Sequence, residues 1–395
     1  MLNRRSFLNQ SSLLSLSPYI PAFLSQTARA AAARKDDRIL VVIQLDGGND
    51  GLNTVIPYAD ENYARYRNKL RIDKQDIIRL NDSLGLHPGM KAAGELFDDN
   101  QLAIIPGVGY PNPNRSHFRS MEIWHSARLQ SDAHTGQGWL GRACDQAKQP
   151  GNTAPDAVFV GDSAIPSAII GRRTTAIALN NEEELTLAAK LSSSDKPLPG
   201  DDLQNFVQNT VTSSYAAAKE FAASAETRST NNSSYPNYRL AQKLKLLSRL
   251  IRLDGGTRIF YVSQPGYDTH SAQKFTHERL LTEFSRSLKA FLTDLRKAGF
   301  SDRIMVMAFS EFGRRVQEND SAGTDHGTSG PVFVAGASVN SGILGNYPSL
   351  VDLEDGDLKS TVDFRCIYAS LLSHWLGIDA SAPLGGTFKP LKVVT

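Results

Sequence analysis

From Ile39 to Leu45 the chain reads Ile-Leu-Val-Val-Ile-Gln-Leu, then breaks at once into Asp46-Gly47-Gly48-Asn49-Asp50-Gly51. A short apolar run rich in β-branched residues, closed by a glycine turn, is the pattern of a strand buried on both faces. Such strands belong to parallel sheets, whose crossovers lay helices on either side. The rest of the chain meets that demand. Strands are predicted at Leu102–Pro106, Ala157–Val160, Arg258–Ser263, Arg303–Phe309 and Val332–Ala335, with a strand pair over Ala168–Ala178. Helices are predicted at Ser116–Ala127, Ala272–Ala298 and Val362–Gly377. The middle one repeats Leu280, Leu281, Phe284, Leu288, Phe291, Leu292 and Leu295 at helical spacing and stops at Gly299. This alternation implies a three-layer α/β/α sandwich around a mainly parallel sheet. Residues 180–252 read as polar and helical, with a Ser/Asn loop near Ser229–Ser234, and their place in the chain suggests an insertion or cap. No repeat of fixed period and no clear boundary divides residues 38–395.

Composition narrows the function classes. With 41% hydrophobic and 21% charged residues the chain is globular in type. A net charge of +2 gives no basic field, so nucleic acid is not expected as a partner. The two cysteines, Cys144 and Cys366, lie far apart and fit no zinc spacing. They read as free thiols in the core rather than as a disulfide. No run of ~18 apolar residues follows the N-terminal segment, so no transmembrane anchor is expected in a mature chain.

The N-terminal segment has its own logic. Arg4-Arg5-Ser6-Phe7-Leu8 is followed by a weakly apolar stretch from Leu13 to Leu24 and by Ala28-Arg29-Ala30, a small-x-small cleavage pattern. The paired arginines resemble the twin-arginine export signal. Residues 1–30 are therefore expected to be a signal peptide, with the twin-arginine translocase as a partner during export and a periplasmic or secreted destination. That route carries folded proteins, often with a cofactor loaded.

Ligands of open α/β sheets bind outside the carboxyl ends of the strands. Four predicted strand ends or adjoining loops carry carboxylates or imidazoles. They are Asp46, the pair Asp268 and His270, Glu311, and the pair Asp325 and His326. Hard oxygens with neutral imidazoles suit zinc, manganese or a related divalent ion, calcium among them. Each residue also has a structural reading. Asp46 can be an Asx-turn residue, Asp268 a helix cap, Glu311 the ion-pair partner of Arg314 or Arg315, and His326 a hydrogen-bonded loop histidine. Their joint placement at successive strand ends favours a site.

The loops Leu45–Asn53, Tyr267-Asp268-Thr269-His270, Ser310-Glu311-Phe312-Gly313-Arg314 and Gly323-Thr324-Asp325-His326-Gly327 together resemble the bacterial family called domain of unknown function 1501. So do Asn114–Met121 and Thr361–Arg365 with Leu371, Leu372 and Trp375-Leu376-Gly377. That family is similar to the alkaline phosphatase, sulfatase and phosphoglycerate mutase superfamily. The resemblance implies an alkaline-phosphatase-like fold, with Asp46, Asp268, His270, Glu311, Asp325 and His326 as metal ligands or their helpers. It implies a nucleophile at the helix after the second strand, where Ser116 is the nearest hydroxyl and helix amides favour an anion. Ser116 can equally be a plain N-cap. His117, Asp50 and Asn49 are further candidates for catalysis or substrate contact. Arg115, Arg119 and Arg314 are candidates for holding an anionic group.

Two departures stand out. Asp268 and His270 are separated by one residue where the superfamily has three, and Glu311 is followed by Phe312 where it has a histidine. The resemblance therefore leaves three expectations open. The first is a metal-dependent hydrolase of a small or polymeric phosphate or sulfate ester. The second is an exported, non-catalytic binding protein for an envelope glycan or protein. The third is a hydrolase of some other bond.

Overall fold

The computed structural model describes residues 38–130, 136–148, 155–180, 234–252 and 256–395. The expected signal peptide, residues 1–30, and most of the 180–252 segment, including residues 229–233 of the expected Ser/Asn loop, lie outside the described residues. Nine strands form the main sheet: β1 (Ile39–Asp46), β2 (Leu102–Gly109), β3 (Ala157–Val160), β4 (Ala176–Leu179), β5 (Ile259–Pro265), β6 (Ile304–Phe309), β7 (Gly330–Ala335), β8 (Gly342–Ile343) and β9 (Val362–Asp363). Their order is β8-β2-β7-β6-β1-β5-β3-β4, with β9 also paired to β2. Every pairing is parallel except those of β7, which runs antiparallel to β2 and β6.

The apolar run that opens the chain's fold is the middle of this sheet. Its residues alternate between two cores, as the two-residue period of a strand requires. Ile39, Val41, Ile43 and Leu45 pack with α1 (Lys91–Asp98), α4 (Arg239–Arg252) and α5 (Gln273–Lys297). Leu40 and Val42 pack with α2 (His117–Ser126), α3 (Trp139–Ala147) and α6 (Phe364–Ser370). The expected three layers are therefore present. Among the described residues no helix is long and apolar enough to cross a membrane. Both cysteines are free, Cys144 buried and Cys366 partly so.

Several expectations are corrected. β2 runs through Pro106 to Gly109, because a register shift between Gly330 and Val332 of β7 spares the proline a missing ladder bond. The strand pair predicted over 168–178 is a 3-10 turn, Ser167–Ile169, followed by β4 alone. Asp145 fixes the turn between them by accepting from the amides of Arg172 and Arg173 at 2.6 and 2.8 Å. The last helix starts at Phe364 rather than Val362. Val362 pairs with Val108 in the sheet, and the Asp363 carboxylate caps the helix by accepting from Arg365 N. Within the 180–252 segment, α4 is a core layer helix and not a cap: Leu240, Leu244, Leu247 and Ile251 are buried against the sheet and α5.

Candidate metal centre

β6, β1 and β5 are adjacent and parallel, so their carboxyl ends meet at one edge of the sheet. That edge receives Asp46 from β1, Asp268 and His270 after β5, and Glu311 after β6. β2 points the same way and leads to His117 at the start of α2. The antiparallel β7 begins at this edge, so the loop before it delivers His326. Backbone bonds seat that loop: Arg315 N donates to Asp325 O at 3.0 Å, Gly327 N to Gly313 O at 3.0 Å, and Gly313 N to Thr328 O at 2.9 Å. Gly47 brings two of the loops into contact. Its φ is +117°, and a Cβ there would stand 2.4 Å from Asp268 N, so only glycine fits.

Three imidazoles converge on one carboxylate oxygen. Asp268 Oδ1 lies 3.5 Å from His117 Nε2, 3.0 Å from His270 Nε2 and 3.1 Å from His326 Nε2. The two Nε2 atoms of His270 and His326 are themselves 3.0 Å apart. On the far side of each ring, Nδ1 faces an oxygen. His117 Nδ1 is 2.7 Å from Glu311 Oε1, His270 Nδ1 3.1 Å from Asp325 Oδ1, and His326 Nδ1 2.8 Å from Arg115 O. A carbonyl or carboxylate oxygen only accepts, so each Nδ1 carries a proton. In neutral rings the three Nε2 atoms then present lone pairs to each other and to Asp268. Protons or a cation between them must relieve that crowding. His117 Nε2 is buried and has no hydrogen-bond partner. This oxygen-oriented, lone-pair-inward arrangement is the one that metal-ligating histidines adopt. His117, Asp268 and His326 each bring a ligand atom within 4.8 Å of the others. Imidazole nitrogens with one carboxylate fit zinc or manganese.

The charges around the cluster follow from geometry. Burial pushes Asp268 up, but Arg314, whose Nη2 is 2.7 Å away, and His326 hold it down to about 2. The hydrogen bond to Glu311 raises His117 above the usual imidazole range. Asp46 is raised to about 6, chiefly by burial and further by the charge of Glu311. Glu311 accepts from Gly47 N at 2.9 Å as well as from His117, and its other oxygen lies 2.9 Å from Ser310 Oγ.

The remaining expected residues divide. Asp325 does not point at the centre but orients His270. Ser116 caps α2 without a side-chain bond and is exposed one residue from His117. Asp50 and Asn49 are corrected. Asp50 is fully buried in a two-pronged pair with Arg67, at 2.5 and 2.9 Å, and also accepts from Gln273 Nε2 at 2.5 Å. No oxygen is left for chemistry. Asn49 is equally buried, its Oδ1 3.0 Å from both His277 Nε2 and Thr54 Oγ1.

The three candidate arginines are also committed elsewhere. Arg314 is buried and donates to the carbonyls of Gly47, Gly48, Tyr267 and Thr324 as well as to Asp268, so it ties the loops together. Arg115 pairs with Asp357, and Arg119 with Glu122 and the carbonyl of Leu129. Phe312, where the resemblance wants an imidazole, is buried and packs its ring 4.9 Å from those of both His117 and His326. In the sequence His117 reads as a catalytic or anion-binding group, and the structure brings it into the candidate metal cluster with Asp268 and His326. Its position in the first turn after β2 was the available signal.

The fold and site define a class: an α/β protein with a histidine–carboxylate cluster at the carboxyl edge of its sheet. The chain belongs to the family described as "Protein of unknown function (DUF1501)", whose model matches residues 37–386. No curated protein matches the sequence. Among solved structures, the chain is similar to the PsFucS1 sulfatase from Pseudoalteromonas sp., with 10% identity and a TM-score of 0.42 over 93% of this chain and 73% of that one. It is also similar to the C-terminal periplasmic domain of EcEptC from Escherichia coli, crystallised with Zn, at 8% identity and a TM-score of 0.38 over 87% and 83%. The alkaline phosphatase of the Antarctic bacterium TAB5 gives 12% identity and a TM-score of 0.34 over 76% and 91%. At such identities and scores the likeness is one of chain architecture alone.

Proposed function

We propose that this chain is an exported, metal-dependent hydrolase that acts on a phosphate or sulfate ester, with zinc or manganese held by His117, Asp268, His270 and His326. One observation carries the reading: three imidazoles, each with Nδ1 turned to an oxygen, aim Nε2 at a single carboxylate oxygen. A divalent ion there would supply Lewis-acid stabilisation of developing negative charge and acidify water for attack. Glu311 borders the cluster through His117, and its charge and that of Asp46 repel one another, so they favour a cation on that side too. The exposed hydroxyl of Ser116 stands at the N-terminus of α2, where the amides favour an incoming anionic oxygen. His117 is one residue away, hydrogen-bonded to Glu311, so a proton at its Nδ1 is held in place. On this reading the chain is exported by the twin-arginine translocase to the periplasm or beyond, with no nucleic-acid partner and no transmembrane anchor in the mature chain.

A second reading is a binding protein without turnover. Arg115, Arg119 and Arg314 are all engaged by this chain's own groups, so none of these three guanidiniums is left over for an anionic ester. The two readings separate on turnover of 4-nitrophenyl phosphate and 4-nitrophenyl sulfate by protein loaded with zinc, manganese or calcium. Metal-dependent turnover that disappears in Asp268→Asn supports the hydrolase. Stoichiometric metal without turnover supports the binding protein, and no metal uptake overturns the site itself.

A further inference from the structure

Beneath Asp46 lies a polar chain that the proposed chemistry does not use. Gln44 and Asp46 are two residues apart on β1 and so point to the same face of the sheet. Gln44 is only 7% exposed, His125 of α2 8%, and Tyr261 of β5 is fully buried. Polar groups this deep in an otherwise apolar core are retained only when their bonds are complete. Here they are. Gln44 Nε2 donates to Asp46 Oδ1, and Tyr261 Oη donates to Gln44 Oε1. His125 Nε2 is 2.7 Å from Gln44 Oε1, and its Nδ1 is 3.1 Å from Ser167 Oγ.

One sense of this chain satisfies every atom when Asp46 is a carboxylate. A carboxylate only accepts, so Gln44 must turn its amide nitrogen to Asp46 and its oxygen inward. That oxygen then accepts from Tyr261 and from a proton on His125 Nε2. His125 Nδ1 is left as the acceptor of the Ser167 hydroxyl. The run of donors begins at Ser167 and ends at Asp46. We infer that His125 and Tyr261 are positioning residues, which lock Gln44 as a donor to one oxygen of Asp46 and leave the other oxygen to a cation on the side of the cluster where Asp46 and Glu311 repel one another. Neither residue touches the cation or substrate. The inference rests on the metal-site reading above.

The test uses purified full-length protein and Zn²⁺ as the probe, with affinity measured by calorimetry against a competing chelator. Gln44→Leu and His125→Leu should each weaken zinc binding by about 10- to 100-fold, the range for residues that orient metal ligands. His125→Gln keeps an N–H donor and should restore most of the affinity. Tyr261→Phe removes only a hydroxyl and serves where the leucine variants fail to fold. A second readout is independent of zinc: ¹⁵N NMR of the imidazoles should show His125 protonated on Nε2. Wild-type zinc binding with unchanged affinity in Gln44→Leu and Tyr261→Phe, or His125 protonated on Nδ1, overturns this inference alone. A wild type that takes up no zinc overturns the site reading and this inference with it.

Discussion

Asp46 at the end of β1 and Asp50 in the loop that follows are four residues apart, yet the fold uses them in opposite ways. Asp50 is saturated: Arg67 and Gln273 occupy both oxygens, and although burial opposes its charge, Arg67 holds its pKa below the usual range. Asp46 is raised to about 6 by burial and by Glu311, and its one strong partner is a neutral amide. The same contrast separates the regions around them. Behind the loop, Asn49, Thr54, Arg67, Gln273 and His277 form a buried network in which Asn49 Nδ2 is left without a hydrogen-bond partner. In front of it, His117, His270 and His326 crowd an Asp268 that is half exposed. The closed network holds the loop, and the open cluster has bonding capacity left for a ligand.

Breaking the closed side should have the largest effect. Asp50→Ala leaves Arg67 buried and unpaired, and should lower unfolding free energy by about 3–5 kcal/mol in urea titration. The double variant Asp50→Leu/Arg67→Met should recover most of that loss, since two apolar groups replace the pair. If Asp50→Ala is as stable as wild type, the closed network is not what holds the loop.

The open side should respond in binding rather than in folding. Asp268→Asn should weaken zinc by at least about 100-fold, equivalent to ~2.8 kcal/mol, and should lower the thermal midpoint of the metal-free protein only modestly, because Asp268 is half exposed and Arg314 keeps its four carbonyl partners. A large drop in that midpoint would make Asp268 part of the scaffold and erase the distinction.

The two sides also differ in pH response. Burial lowers His277 to about 4. Its folded value lies below an unfolded value of ~6.5, so the unfolded chain takes up the proton first as pH falls. Its contribution to stability is complete above ~6.5 and is lost as pH falls toward about 4, costing roughly 2 kcal/mol by pH 5. His277→Gln should flatten that slope in denaturation curves taken between pH 7 and 5. An unchanged slope would show that His277 is not held neutral.

The smallest effect belongs to Ser116→Ala. The hydroxyl makes no capping bond, so folding stability should stay within about 0.5 kcal/mol of wild type, whereas a working N-cap costs ~1 kcal/mol. Thr54→Val is the matched change on the closed side. It removes a hydroxyl bonded to Asp50 O at 2.7 Å, and should cost about 1–2 kcal/mol.

Much of this was legible in the sequence because it depends on local pattern. The apolar run before Asp46 required a central strand, and parallel strands put Asp46, Asp268 and Glu311 at one edge. What was not legible depends on partners distant along the chain. Asp50 looks like Asp46 until Arg67, Gln273 and the loop at Arg315 and Val316 close around it. Arg314 looks like an anion-binding residue until four loop carbonyls claim its guanidinium. The α2 stretch gave His117 two readings, and only the crossing of β2, β5 and β7 loops placed its Nε2 against Asp268. Val362 reads as a helix start in the sequence because its pairing with Val108 is a long-range event.

The central claim is that the imidazole cluster holds a divalent cation and that His117 is one of its ligands. The most direct test is elemental analysis by inductively coupled plasma mass spectrometry of purified wild type, His117→Ala and Ser116→Ala after incubation with zinc, manganese and calcium. The account predicts near-stoichiometric metal in wild type and Ser116→Ala, and its loss in His117→Ala. Wild type without metal, or His117→Ala with as much metal as wild type, would contradict it.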